Sequence, residues 1–155
     1  MNTGSTLTHS QGAGVLAALR ALATKPCEYF ADALLVAEAQ ARLLVDLLST
    51  QPEWLPNHLT DLIPGIAVEQ IDIIPVAGTA FWGRGHWSIH LRAADTPDAQ
   101  RFTVLHELKH IIDHPLRGNG QLTTGEREAA ADHFARTVLA RLPEALAVCG
   151  AEPQR

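Results

Sequence analysis

Residues 101–114 read Arg101-Phe102-Thr103-Val104-Leu105-His106-Glu107-Leu108-Lys109-His110-Ile111-Ile112-Asp113-His114. Val104, Leu105, Leu108, Ile111 and Ile112 recur at helical spacing, which predicts an amphipathic helix with one buried stripe. His106 and His110 stand four apart on its polar side, about 6 Å from each other, so both imidazoles can reach one Zn²⁺ at about 2.0–2.1 Å. Glu107 projects beside them, placed to hold a water against the ion without ligating it. With eight histidines in 155 residues, shuffling yields this H-E-x-x-H pattern roughly 0.02 times per chain. Two solvated histidines on an ordinary helix are therefore the weaker reading.

Working outward, Thr96-Pro97-Asp98 is a helix start: a hydroxyl cap, proline at the first helical position and an acid in the first turn. Pro115 biases His114 away from helical geometry, so the helix should end near Asp113. After a Gly-containing loop, Thr124 is expected to cap a further helix to about Leu142, with Pro143 as a break or kink.

A catalytic zinc usually has three protein ligands and one open position. The metzincin continuation would need glycine and histidine where this chain has Asp113 and Leu116, so that class is excluded. His114 continues the i, i+4, i+8 row, but eight helical residues rise about 12 Å, too far to share an ion with His106. A supporting role near the site or at the negative helix end suits it better. Glu128 on the next helix is the preferred third ligand. Asp132 follows one turn later and can orient a ligating histidine through its other ring nitrogen. Glu126 is the rival, lacking an acid at i+4 and standing nearer the helix start.

Upstream, the hydrophobic period shortens. Ile71, Ile73 and Pro75 alternate with Asp72, Ile74 and Val76, and Thr79 to Trp82 and Trp87 to Arg92 are further β-type runs, the last two joined through Gly83-Arg84-Gly85. In the last run Trp87, Ile89 and Leu91 share one face and Ser88, His90 and Arg92 the other. His90 and Arg92 are candidate substrate contacts if this strand is a sheet edge, and Phe81, Trp82 and Trp87 are expected in the core. Two helices should precede the sheet. One runs from about residue 11 to Ala23, capped by Ser10, with Leu16, Leu19 and Leu22 at helical spacing. The other runs from Glu28 to Leu48, with Phe30, Leu34, Leu35, Ala37, Ala41, Leu44 and Leu48 on its buried stripe. The expected organisation is a tail over residues 1–10 and one domain over 11–155, with a helical part at 11–63 and a catalytic core at 64–143.

Composition removes several function classes. Apolar residues make up 46% and charged residues 19%, which fits a globular domain and neither disorder nor a fibrous repeat. The first apolar stretch, Gly14 to Thr24, is interrupted by Arg20 and falls short of the ~20 residues a membrane span needs. No Lys or Arg precedes Arg20, so the charged start of a secretory signal is missing and a cytoplasmic location is expected. Cys27 and Cys149 lack C-x-x-C spacing and read as reduced, buried thiols in apolar helical stretches. The net charge of −5 offers no basic footprint for direct nucleic-acid binding.

Arg101-Phe102-Thr103, the H-E-x-x-H segment, Glu128, then Ala131-Asp132-His133-Phe134-Ala135 and finally Pro143 together resemble the ImmA/IrrE-type metallopeptidases. Their usual pattern is similar to R-F-T-x-x-H-E-x-G-H with a later E-x-x-A-N-x-F-A. The resemblance covers roughly residues 64–143. It implies a zincin-like α+β fold with N-terminal helices, a small, mainly antiparallel three-stranded sheet, an active-site helix and a following helix carrying the Glu ligand. It further implies Zn²⁺ on His106, His110 and Glu128, with Glu107 as catalytic acid/base. The implied partner is a helix-turn-helix repressor or antitoxin-like regulator encoded nearby, often on a mobile element or within a stress response. His133, beside Asp132, is a candidate transition-state donor, although an ordinary half-buried histidine is the plainer reading.

Two departures stand out. Lys109 replaces the usual glycine, which either alters packing against the neighbouring strand or puts a cation beside the cleft, and Asp132 stands where asparagine is commoner. The leading expectation is a zinc endopeptidase. Lys109 keeps alive a weakly catalytic module that sequesters its partner, and a hydrolase acting on a non-protein amide shares the same zinc chemistry.

Overall fold

Thr96 caps the H-E-x-x-H helix, its Oγ1 accepting from Ala99 N at 3.2 Å with Pro97 in the first turn. The helix ends at Asp113, as Pro115 requires. The structure, a computed structural model, describes the backbone of residues 6–48, 56 and 58–149 and the side chains of 14–48, 56 and 58–142. The elements are α1 (Thr6–Ala21), α2 (Phe30–Leu48), α3 (His58–Leu62), β1 (Ile66–Ile71), β2 (Gly78–Gly83), β3 (His86–Arg92), α4 (Pro97–Asp113), a 3₁₀ turn (His114–Asn119) and α5 (Thr124–Cys149). This is the expected α+β architecture, helices first and a small sheet before the long helices.

The sheet is mixed rather than mainly antiparallel. Its order is β1-β3-β2, with β3 parallel to β1 and antiparallel to β2. β3 is therefore central, and β2 rather than β3 is the edge strand that faces α4. Arg84 (φ 54°) and Gly85 (φ 80°) form a two-residue turn with positive φ at both positions. That is the type I′ geometry whose twist matches the flanking strands.

Several sequence expectations shift. The first strand occupies Ile66–Ile71, not residues 71–76, and Ile73 is 92% exposed. Residues 72–77 instead carry the chain from β1 to the far edge, held by Arg92, whose Nη2 donates to Pro75 O at 3.2 Å and Nε to Ile74 O at 3.4 Å. α1 begins at Thr6, so Ser10 lies inside it, and Leu22 falls beyond its end, 45% exposed. On α2 the buried line runs Ala33, Ala37, Ala41, Leu44 and Leu48. Leu35 is 66% exposed, because two residues from Ala33 and from Ala37 put it about 200° round the helix from that line; α5 is the most extensive neighbour of α2. Thr123, not Thr124, caps α5. Thr123 Oγ1 accepts from Glu126 N at 3.1 Å and Glu126 Oε2 accepts from Thr123 N at 2.8 Å, a reciprocal capping box. α5 continues past Pro143 to Cys149.

The core runs from Leu19 and Leu44 through Ile66 and Ile89 to Leu105, Leu108 and Phe134, each fully buried. Trp87 joins it, whereas Phe81 and Trp82 are both exposed, Phe81 against His90 on the outer face and Trp82 against Trp87, ring centroids 5.5 Å apart, on the inner one. Cys27 is a half-buried free thiol in the α1–α2 connection, not in a helix. The Cys149 side chain, residues 1–5 and residues 54, 55 and 57 lie outside the described residues. α1 is tied to α4 at the latter's C-terminal end, where Arg20 Nη2 donates to Ile111 O at 2.7 Å and Nε to Ile112 O at 3.3 Å.

Candidate metal centre

α4 and α5 pack side by side with β2 across the mouth of the cleft between them, a space of about 680 Å³ lined by His106, Glu107, His110, Glu128 and the Gly78–Ala80 backbone. The i, i+4 spacing on α4 brings His106 Nε2 and His110 Nε2 to 3.0 Å. Glu128, one turn into α5, meets both: Oε2 lies 3.0 Å from His106 Nε2 and Oε1 3.1 Å from His110 Nε2. The donor atoms of the three residues all fall within 4.8 Å of one another. The imidazoles are 15% and 13% exposed and Glu128 49%, so the group is closed toward the helices and open toward solvent.

The donor chemistry fits a cation. His106 Nδ1 lies 2.8 Å from Asp132 Oδ1, which places the ring proton on Nδ1 and leaves a lone pair on Nε2. That lone pair faces a carboxylate oxygen and a second imidazole nitrogen at hydrogen-bond range, an arrangement favourable only with positive charge among them. Tetrahedral sites with ligand bonds near 2.0 Å have ligand separations of about 3.3 Å, close to those observed. Glu126 cannot be the third ligand while its carboxylate closes the capping box.

Glu107 points to the other side of the cleft, toward β2, where the Ala80 backbone N–H bonds its carboxylate. Burial raises its pKa above the ordinary value; the Glu128 charge adds to the rise, while His106, Ala80 and Arg117 oppose it. Burial also lowers the pKa of His110, helped by His106 and Arg117 and opposed by Glu128 and Asp113. Arg92 N donates to Ala77 O at 2.9 Å, and with the β2–β3 register this turns the peptide groups of Gly78, Ala80 and Trp82 outward from the sheet. Gly78 is required where β2 meets α4, because a Cβ there would fall on the Thr103 methyl and 3.1 Å from His90 O.

Other candidates lie elsewhere. His90 and Arg92 are on the outer sheet face. His90 Nε2 is 3.6 Å from Glu69 Oε2 and its ring packs on Phe81 at 4.8 Å, while Arg92 holds the 72–77 connection. His133 is not among the cleft-lining residues, being five residues and about 140° round the helix from Glu128. His114 lines the cleft but contacts Trp87, ring centroids 4.9 Å apart, rather than a metal donor. The cation at the α4 terminus is Arg20, not His114. Lys109 is 3% exposed on the flank of α4 away from β2, its Nζ 2.6 Å from Asp113 Oδ1, so it neither disturbs the strand nor puts a charge beside the metal donors. Sequence reasoning missed Gly78, Ala80 and Arg117, all cleft-lining. The only available signal was a glycine opening a β-type run just upstream of the metal helix.

A histidine pair on one helix, a carboxylate from the next and an edge strand across them define a zincin-like α+β fold. Residues 64–147 match the family model described as the IrrE N-terminal-like domain, over half of the chain, and the chain belongs to that peptidase family. Membership carries a metallopeptidase-type function. Neither the curated proteins nor the solved structures give a match. Among the described residues no helix is long and apolar enough to cross a membrane.

Proposed function

We propose that this chain is a cytoplasmic zinc endopeptidase that cleaves a regulatory protein, a helix-turn-helix repressor or antitoxin-like partner, without itself binding nucleic acid. The observation that carries the reading is the meeting of His106, His110 and Glu128 donor atoms within 4.8 Å, beside a Glu107 carboxylate bonded by the edge strand. Two imidazoles and a carboxylate with one open side are the ligand chemistry of catalytic zinc.

His106, His110 and Glu128 would hold the Zn²⁺, which would supply Lewis acidity toward water and a peptide carbonyl. Glu107 takes the proton of the attacking water as its oxygen bonds to the carbonyl carbon. It then delivers that proton to the amide nitrogen as the C–N bond breaks, leaving a carboxylate and an amine. The Ala80 N–H holds Glu107 in place for both transfers. The outward peptide groups of β2 offer an extended substrate main-chain hydrogen bonds along the cleft.

Lys109, which keeps a sequestering module open in the sequence, faces away from the metal donors, so no structural observation favours that alternative. The test is incubation of the zinc-loaded protein with the product of the adjacent gene. Wild type should cut it into discrete fragments, and Glu107→Gln should keep its zinc and leave the partner whole. A partner left intact by zinc-loaded wild type overturns the reading, and a stable complex without cleavage would replace it with sequestration.

A further inference from the structure

The metal cleft continues past Glu107 along the inner face of the hairpin. Trp87 lines the cleft and also lines a second space of about 880 Å³, between the β2–β3 hairpin, the end of α1 and the residues that lead into β1. Leu16, Ala17 and Ala21 from α1, Pro64 ahead of β1, and Trp82 and Trp87 from the hairpin give this groove its apolar lining. Among the described residues that line it there is no carboxylate. Its guanidinium, on Arg20, is committed to Ile111 O and Ile112 O. A group entering the groove therefore meets chiefly apolar surface.

Trp82 is 59% exposed although it lies on the inner face, its ring meeting that of Trp87 edge to face at 5.5 Å. An indole left so far in water forgoes much of the stabilisation its burial would bring. Ala80, whose N–H bonds the Glu107 carboxylate, stands two residues before it on β2, so the two side chains share a face about 6–7 Å apart. A substrate paired along β2 sets its own inward side chains opposite these same positions. Antiparallel pairing is the better bonded of the two senses and makes the substrate run against β2. The substrate residue opposite Trp82 then precedes by two positions the one opposite Ala80, which is the level of Glu107. Its side chain enters the groove.

We propose that Trp82 and Trp87 form a specificity site for a large apolar side chain, aromatic or long aliphatic, carried by the second or third residue on the N-terminal side of the cleaved bond. The inference rests on the peptidase reading of the cleft and adds to it the class of peptide selected. Continuity through Trp87 commits the groove to the substrate that occupies the cleft, and its uncharged lining excludes an acidic or basic side chain as the preferred guest.

Zinc-loaded wild type is incubated with a library of synthetic decapeptides of mixed sequence, and the cuts are located by mass spectrometry. Phenylalanine, tyrosine, tryptophan, leucine and methionine should be enriched at the second or third position before the cut and not at the same distances after it. For matched peptides with phenylalanine or alanine at the enriched position, Trp82→Ala should lower the ratio of their kcat/KM values by about 10-fold. Trp82→Phe should keep most of that ratio. Ala17→Trp, from an exposed position on α1, fills the groove and should lower the ratio as well, and both Trp82→Ala and Ala17→Trp should retain the zinc of the wild type. Cuts without that enrichment, enrichment only after the bond, or a ratio indifferent to both substitutions overturns the site and leaves the peptidase reading standing. If nothing is cut, the peptidase reading fails, and the anisotropy of labelled hexaalanine and its single-phenylalanine counterpart on zinc-loaded Glu107→Gln decides the groove. Equal affinities overturn it, and tighter binding of the phenylalanine peptide that is lost in Ala17→Trp supports it.

Discussion

Asp132 Oδ1 lies 2.8 Å from His106 Nδ1, one turn beyond Glu128 on α5, so one helix carries both the carboxylate that faces the metal position and the one that fixes the facing imidazole's tautomer. Asp132→Ala should weaken zinc binding by about 10–100-fold. Asp132→Asn, which keeps an acceptor oxygen, should cost less. Competition against a chromophoric chelator measures both, and identical affinities for all three proteins would make the contact incidental.

Glu107 is held above its ordinary pKa of 4.5, chiefly by burial. A carboxyl raised in the fold stabilises fully below its unfolded-state pKa and loses that contribution as pH rises through the folded value. At pH 7 the ionised carboxylate therefore opposes folding. Metal-free Glu107→Gln should melt above the metal-free wild type at neutral pH, with the gap closing toward pH 4. Its peptidase activity should fall by about 10²–10⁴-fold. A variant that melts lower at neutral pH contradicts this account.

His110 is held below its ordinary value of 6.5, again chiefly by burial. For a base lowered in the fold, the stabilising contribution is present above the unfolded-state pKa and is lost as pH falls through the folded value. Protons also compete directly for the ligand lone pair. Zinc retained after equilibrium dialysis should decline as pH drops below 6.5, and His110→Ala should hold little at any pH. Equal zinc at pH 7.5 and about pH 5 would count against His110 as a ligand.

Arg20 completes the last turn of α4 through Ile111 O and Ile112 O. Arg20→Met preserves the stem but strands two carbonyls, a loss of about 1–3 kcal/mol. At ~2–4 °C per kcal/mol for a domain of this size, the melting temperature should fall by several degrees with zinc stoichiometry unchanged. An unaltered melting temperature would show that water serves those carbonyls equally well.

Gly78→Ala should push β2 away from α4, because the new methyl meets the Thr103 methyl. Overpacking of this kind costs about 1–3 kcal/mol, and the displaced strand should also lower activity. Adding Thr103→Ser removes the opposing methyl while keeping the hydroxyl that donates to Ala99 O at 2.9 Å. The double variant should therefore recover part of both properties, the 3.1 Å approach to His90 O remaining; a double variant no better than Gly78→Ala alone would place the strain elsewhere.

What could be read from the sequence was local. The α4 cap, its end before Pro115 and the His106–His110 pair follow from helical spacing and terminal chemistry that act within a few residues, whereas Glu128, on the next helix, was preferred to Glu126 through Asp132 one turn on and the family pattern. What could not be read depends on chain crossings. Alternation correctly separates Trp87, Ile89 and Leu91 from His90 and Arg92, but it does not say which face meets the cleft or that β3 is flanked on both sides. Residues 71–76 alternate as a strand does, yet only Ile71 is in β1 and the rest belong to the crossover that makes β2 the edge. Lys109 points where its helical angle from Glu107 takes it, and without knowing where β2 lay, the sequence did not say what occupies that side.

The donor atoms are divided between α4 and α5, with the 3₁₀ turn and its flanking loop separating the two helices in the chain. During synthesis the histidine pair leaves the ribosome before Glu128 and Asp132, and domains settle largely as units once their parts are available. The donor set is therefore completed only once α5 has been made. A half-made copy presents two imidazoles with no carboxylate opposite them, so the site cannot precede the packing of α5 on α4.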